Sequence, residues 1–183
     1  MPTIHPVTLQ TARLRLRPMN EQDIPAHFAV FSDPEVARYW SREPWTELAQ
    51  AEESIKAIVA AGADGSEARF GIELLSTGEL IGNVGLYHFF EQNRRCEIGY
   101  ALASPYWGRG LATEALRAAI RHGFDAFDLN RIEADIDPRN IGSARVLEKL
   151  GFRKEGYMPE RWIVFGEFAD TVNYGLLRRY WEA

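Results

Sequence analysis

Tyr106-Trp107-Gly108-Arg109-Gly110-Leu111-Ala112-Thr113-Glu114-Ala115 is a glycine-bearing turn that runs directly into an amphipathic helix, and these residue types in this order suit anion binding. Gly108 and Gly110 carry no Cβ, so the backbone can approach a ligand. The helix leaves its first N–H groups unpaired and aims the positive end of its dipole at the same point. A pyrophosphate fits such a cradle; the alternative is a tight strand-to-helix turn with a satisfied N-terminus. The missing Gly-Lys-Ser/Thr ending excludes a P-loop. A dinucleotide fingerprint is disfavoured, because no third glycine follows and the upstream segments read as antiparallel hairpins.

A second chemical feature is Glu97. Along Arg95 to Ala103, Cys96, Ile98, Tyr100 and Leu102 share one strand face, and Glu97, Gly99 and Ala101 share the other. One carboxylate over small residues is what a pocket wall presents. Glu160 and His88 are further proton-accepting candidates, with a solvated acid and an exposed or hydrogen-bonded histidine as their alternatives. His5, His27 and His122 have no partner at meaningful spacing. Cys96 falls on the apolar side and reads as a buried, inert thiol. Asp135 and Asp137 share a face but lack a His or Cys at ligand spacing, so no metal is assigned. Tyr39, Trp40, Trp45, Tyr87 and Trp162 shape an acceptor pocket or pack as ordinary core and surface.

The elements that must hold these residues follow from periodicity. Leu14 and Leu16 alternate with Arg13, Arg15 and Arg17 and predict a first strand closed by Pro18, with the arginines facing solvent or a partner. Asn20 or Asp23 caps a short helix through Phe31, Asp33-Pro34 opens another short turn, and a third helix covers Glu47 to Ala61 before a loop at Gly62 to Gly65. Phe70 to Leu75, a turn at Ser76 to Glu79, and Leu80 to Phe89 form a hairpin. Ala112, Leu116, Ala119, Ile120, Gly123, Phe124 and Phe127 recur at helical spacing and make the central helix sheet-packed on one face. Arg131 to Asp137 is a strand. Asn140 caps a helix to Leu150 that ends at Gly151, with Phe152 returning onto Leu147. Phe152 to Leu177 is a closing hairpin packed through Trp162, Phe165, Tyr174 and Leu176.

The 183 residues, 46% hydrophobic, suit one compact α/β domain spanning the chain. A net charge of −5 gives no field that attracts nucleic acid. One cysteine excludes an internal disulfide framework. With no signal segment or long apolar run, the expectation is a soluble cytoplasmic protein that binds neither nucleic acid nor membrane, as a monomer or homodimer.

Cys96 to Leu102, Trp107 to Ala115, and Asn140-Ile141-Gly142-Ser143 through Leu147-Glu148-Lys149-Leu150-Gly151-Phe152 together resemble the GNAT superfamily of acetyl-CoA-dependent N-acetyltransferases. The opening Thr11 to Pro18 and Asp33 to Val36 are similar to its branch of ribosomal-protein N-terminal (alanine/serine) acetyltransferases. The resemblance covers nearly the whole chain. It implies an α/β fold, mixed and mostly antiparallel, with the sheet splayed at its middle strands and flanked by helices.

It also implies acetyl-CoA as co-substrate, with no metal, and direct transfer to a primary amine in a ternary complex. The acceptor is a protein N-terminus or a small molecule such as an amino acid, antibiotic or polyamine. A non-catalytic acyl-CoA-binding or sensing domain is the alternative. The cofactor-binding residues implied are Tyr100, Leu102, Ala103, Trp107, Gly108, Arg109, Gly110, Leu111, Ala112, Thr113, Asn140 and Ser143, the pantetheine arm pairing with the strand edge from Tyr100 to Ala103. The catalytic residues implied are Glu97 as base, with a structural ion pair as its alternative, and Ser143 as hydrogen-bond donor to the leaving thiolate. Two departures are visible. Trp107 stands where the superfamily often has Gln or Arg, and Leu147 stands where many members carry a tyrosine that protonates the thiolate.

Overall fold

The computed structural model describes Ile4 and residues 7–181. Its strands are β1 (Leu9–Gln10), β2 (Leu14–Pro18), β3 (Ala68–Leu74), β4 (Leu80–Phe90), β5 (Arg95–Leu102), β6 (Arg131–Ile136), β7 (Arg153–Val164) and β8 (Glu167–Leu177). The helices are α1 (Ile24–Phe31), α2 (Pro34–Ala37), α3 (Leu48–Asp64), α4 (Leu111–Ala126) and α5 (Ile141–Lys149). All eight strands lie in one sheet, in the order β1-β2-β3-β4-β5-β6-β8-β7. Neighbours run antiparallel except β5 and β6, which are parallel and joined through α4. A helical crossover is the short connection available to a parallel pair.

The mixed, mostly antiparallel sheet expected from the sequence is therefore present, and so is its splay. β5 and β6 pair only from Arg95 opposite Arg131 to Glu97 opposite Glu133. Beyond Glu97, β5 stays paired with β4, and β6 stays paired with β8 as far as Ile136 opposite Val172. The sheet thus opens at its middle towards the C-terminal ends of the parallel pair.

Two cores hold the opening in place. On one face Phe70, Ile72, Val84, Leu86 and Ile98 pack with Leu116, Ile120 and Phe124 of α4 and Leu147 of α5. On the other, Ala101 joins Val30, Phe31, Val36, Trp45 and Ala51 from the α1 to α3 region. The helical stripe of α4 is buried as its spacing predicts. α5 ends as expected, with Gly151 at φ +89° and the Phe152 amide donating to the Leu147 carbonyl at 3.1 Å.

Several expectations are corrected. The arginines of the first strand, expected to face solvent or a partner, find carboxylate partners within the chain while Arg13 and Arg15 stay about half exposed. Arg15 and Arg17 each reach Glu73 at 2.8 Å, and Arg17 also reaches Asp23 at 2.7 Å. Glu73 and Asp23 are buried, and a buried carboxylate needs such a partner. The third helix continues through Gly62 to Asp64, because Gly65, at φ +78°, is the residue that supplies the left-handed terminator. Trp162 and Phe165 are not packing residues: they are 42% and 50% exposed. They sit at the far end of a hairpin whose first strand is the sheet edge, where no element covers them. Tyr174 and Leu176, on the inner strand of that hairpin, are buried as expected.

Candidate active site

The βαβ connection fixes the geometry of the opening. Because β5 and β6 are parallel, the helices that follow them, α4 and α5, both begin at the open end of the split. Ligands gather at such places in open sheets, since helix N-termini converge on a gap the strands leave.

The first N-terminus is the turn before α4. Gly108 and Gly110 have φ of +71° and +75°, the left-handed region that glycine adopts without strain. A Cβ on Gly108 would meet nothing within 4 Å, and one on Gly110 would meet only the Arg13 guanidinium, at 3.6 Å. The amides of residues 108–113 donate to no acceptor among the described residues. Trp107 differs. The Trp107 amide donates to the Ser104 carbonyl, and its indole Nε1 donates to the Leu102 carbonyl at 2.6 Å. The cradle's free amides therefore begin at Gly108.

The turn is held from outside by contacts that sequence spacing does not reveal. Glu114 accepts from the Thr11 hydroxyl at 2.6 Å and from the Arg13 amide at 2.9 Å, and pairs with the Arg13 guanidinium at 2.7 Å. These donors hold its carboxyl below the usual range against the opposing effect of burial. Arg13 also donates to the Arg109 carbonyl at 2.9 Å. Ser104 donates to Asp33 at 2.5 Å and Tyr106 to Glu79 at 2.6 Å, so the loop is tied at three points.

The free edge of β5 borders the same space. Ala101 lies opposite Asn83, and the Ala103 amide donates to Ile81 on β4. By antiparallel alternation the amides and carbonyls of Tyr100 and Leu102 then point away from β4, into the split. Ala103 has neither group free, since its carbonyl accepts from Tyr106. The Leu102 carbonyl is taken by Trp107, which leaves the Leu102 amide and both Tyr100 groups as the unpaired edge.

The second N-terminus is that of α5. Asn140 caps it, its side chain accepting from the Ser143 amide at 3.0 Å. The Ser143 hydroxyl is 2.8 Å from the Tyr100 hydroxyl. Burial raises Tyr100 to about 12. Leu147, one turn on, is fully buried in the core.

Glu97 stands at the inner end of the split, the last residue of β5 to pair with β6. Its partner is neither Arg94 nor Arg95, which bind Asp128 and Glu133. It is His88, whose Nδ1 is 3.2 Å away. The predicted strip of small residues beside it is explained by Tyr87: a Cβ on Gly99 would come within 2.8 Å of the Tyr87 hydroxyl. Burial, and then Glu97 and Asp135, push Tyr87 up to about 12, so its phenol stays protonated at the split.

Residues 13–153 match the family described as the acetyltransferase (GNAT) domain. The chain belongs to the GNAT acetyltransferases. It is 38% identical to the uncharacterized N-acetyltransferase p20 of Bacillus licheniformis, over 94% of this chain and 97% of that one. It is 27% identical to the spermidine N(1)-acetyltransferase of Escherichia coli K12, over 100% and 92%. Among solved structures, RimJ of Mycobacterium smegmatis in complex with CoA-disulfide superposes with a TM-score of 0.82 at 27% identity, covering 91% of this chain and 82% of that one.

Other sequence candidates in this acetyltransferase lie apart from the split or are engaged elsewhere. Cys96 is buried, and burial raises its thiol far above the ordinary value, which leaves it unreactive. Glu160 is exposed at a bulge of β7, at φ +51°. Trp40 and Trp45 pack on Phe31, and Trp162 is 42% exposed. His27 does have a partner: its Nε2 is 3.0 Å from the Ser54 hydroxyl. His122 Nε2 is buried without a partner among the described residues, and His5 lies outside them. Asp137 is bound to Arg139 at 2.6 Å, and the described residues hold no group of three potential metal ligands. No helix is long and apolar enough to cross a membrane.

Proposed function

We propose that this chain transfers an acetyl group from acetyl-CoA to a primary amine by direct attack in a ternary complex. The observation that carries the reading is the convergence of the α4 and α5 N-termini on a split whose strand edge is unpaired. The cradle fits the cosubstrate's diphosphate: six consecutive amides are free among the described residues, and both glycines leave room. The Leu102 amide and the Tyr100 backbone groups fit a pantetheine arm bound like an added strand. Asn140 contributes through the cap that orients the first turn of α5.

Acetyl-CoA supplies an activated thioester carbonyl. Glu97 takes a proton from the ammonium of the acceptor, directly or through water, because only the neutral amine is a nucleophile. The amine nitrogen then bonds to the carbonyl carbon and gives up its second proton to water, the C–S bond breaks with its electron pair going to sulfur, and the thiolate leaves. Ser143, at the N-terminus of α5, donates a hydrogen bond to that thiolate, and the helix dipole favours its charge.

The acceptor is a primary amine, and the solvent-open position of Glu97 suits a flexible amine such as a protein N-terminus. Release of free thiol from acetyl-CoA should accelerate at least tenfold over the acceptor-free rate with one member of a panel of N-terminal Ala and Ser peptides, polyamines and amino acids. Tight binding of acetyl-CoA with no thiol release across the panel would instead leave a binding domain.

A further inference from the structure

The hydroxyls of Tyr100 and Ser143 join β5 to the first turn of α5. Tyr100 follows Ile98 on the α4 and α5 face of β5 and precedes Leu102, so its ring reaches from the strand to the first turn of α5. Its hydroxyl has one partner among the described residues, Ser143 at 2.8 Å. Ser143 in turn has its amide fixed by Asn140 at 3.0 Å. The serine is therefore clamped twice, once through its backbone and once through its side chain.

We propose that Tyr100 is a positioning residue that aims the Ser143 hydroxyl hydrogen at the leaving sulfur. This rests on the reading of Ser143 given above and adds a residue to it. A hydroxyl pair shares one hydrogen, and either oxygen can be the donor. A phenol is the stronger donor of the two and the poorer acceptor. With Tyr100 donating and Ser143 Oγ accepting, the serine hydrogen is left free to turn towards the split, and the serine oxygen is polarised in the sense that strengthens its own donation.

The reverse arrangement would spend the serine hydrogen on the phenol and leave the sulfur without a donor. Burial keeps the phenol protonated through neutral pH, so Tyr100 remains a donor and does not give up its proton. No bond to Tyr100 is made or broken. The C–S electron pair goes to sulfur, the developing negative charge is met by the Ser143 hydrogen, and the final proton on the free thiol comes from solvent.

A double-mutant cycle tests this, because a residue that acts only through Ser143 has nothing to do once the serine hydroxyl is gone. Tyr100→Phe, Ser143→Ala and the double variant would be assayed with acetyl-CoA and the acceptor giving thiol release. Coenzyme A affinity would be measured by calorimetry and folding by thermal melting. Tyr100→Phe removes one oxygen and keeps the ring that packs against the core, so its melting temperature serves as the folding control. The expected result is a fall in kcat of roughly tenfold for Tyr100→Phe and of about ten- to a thousandfold for Ser143→Ala. Coenzyme A affinity should change by less than about threefold, and the double variant should be no slower than Ser143→Ala.

A slow Ser143→Ala with a fully active Tyr100→Phe would overturn the inference and leave the serine's role intact. A double variant slower than Ser143→Ala by the whole Tyr100→Phe factor would also overturn it, since the phenol would then be acting on its own. A Ser143→Ala variant with normal turnover would remove the serine from the mechanism and the inference with it.

Discussion

Glu97 belongs to a pair with His88. Its carboxylate lies 3.2 Å from His88 Nδ1, and its side chain is 31% exposed, so water can carry a proton from the amine to it and from it to bulk. Strand alternation placed this residue on the face opposite Ile98 and Tyr100 from sequence alone. The identity of its partner was not legible, because β4 bulges between Tyr87 and Phe90 and His88 sits there at φ +50°, off the regular alternation. If Glu97 is the base, Glu97→Gln keeps the shape and should lower kcat/KM at neutral pH by about a hundredfold. The deficit should shrink as pH rises, since the acceptor arrives already neutral. His88→Gln should cost less than about threefold, because in this reading the carboxylate and not the imidazole receives the amine's proton. Superimposable profiles for wild type and Glu97→Gln across pH would assign the proton to another group.

At the scale of elements, the cradle is a strand-to-helix turn whose two glycines do different work from the one their size suggests. Freedom from a Cβ was readable in the sequence; the left-handed backbone at both positions, which aims the amides, was not. Nor was the tie from Thr11 and Arg13 to Glu114, since no local pattern links residues about a hundred positions apart. Caps, hairpins and the end of α5 came through because they depend on near neighbours, whereas α3 runs past its expected end to Asp64, and the exposure of Trp162 and Phe165 depended on which strand became the edge. Gly110→Asp puts a carboxylate at φ +75° on the turn proposed to bind phosphate, its Cβ 3.6 Å from the Arg13 guanidinium. Strain at such an angle costs about 1–2 kcal/mol, which a domain of this size survives, while the charge repels the ligand. Coenzyme A binding measured by calorimetry should fall by at least a hundredfold in a variant that still melts cooperatively. Unchanged affinity would remove the cradle from the site.

The whole molecule carries a pH dependence that originates away from the split. His27 is 2% exposed between Phe31 and Trp45, and burial first, with Arg69 and Arg42 adding to it, lowers its pKa to about 4. In the unfolded chain the same imidazole titrates near 6.5. Above 6.5 both states are neutral there and His27 has no effect. Between 6.5 and 4 the unfolded state binds a proton that the folded state refuses, so stability falls as pH falls and the loss is complete below 4. At 1.36 kcal/mol for each pH unit, the loss between 6.5 and 5 is about 2 kcal/mol, and down to 4 about 3 kcal/mol.

His122, also lowered by burial, adds in the same direction. The carboxylates with depressed values, such as Glu114 and Asp137, lose their contribution too, but only as pH drops through the carboxylate range. The window from 6.5 to 5 therefore belongs to the histidines. Denaturant unfolding should show wild type losing about 2 kcal/mol or more between pH 7 and pH 5, and His27→Gln, which retains a group able to bond Ser54, losing about 2 kcal/mol less. Equal losses in the two proteins would mean that His27 titrates alike in the folded and unfolded states.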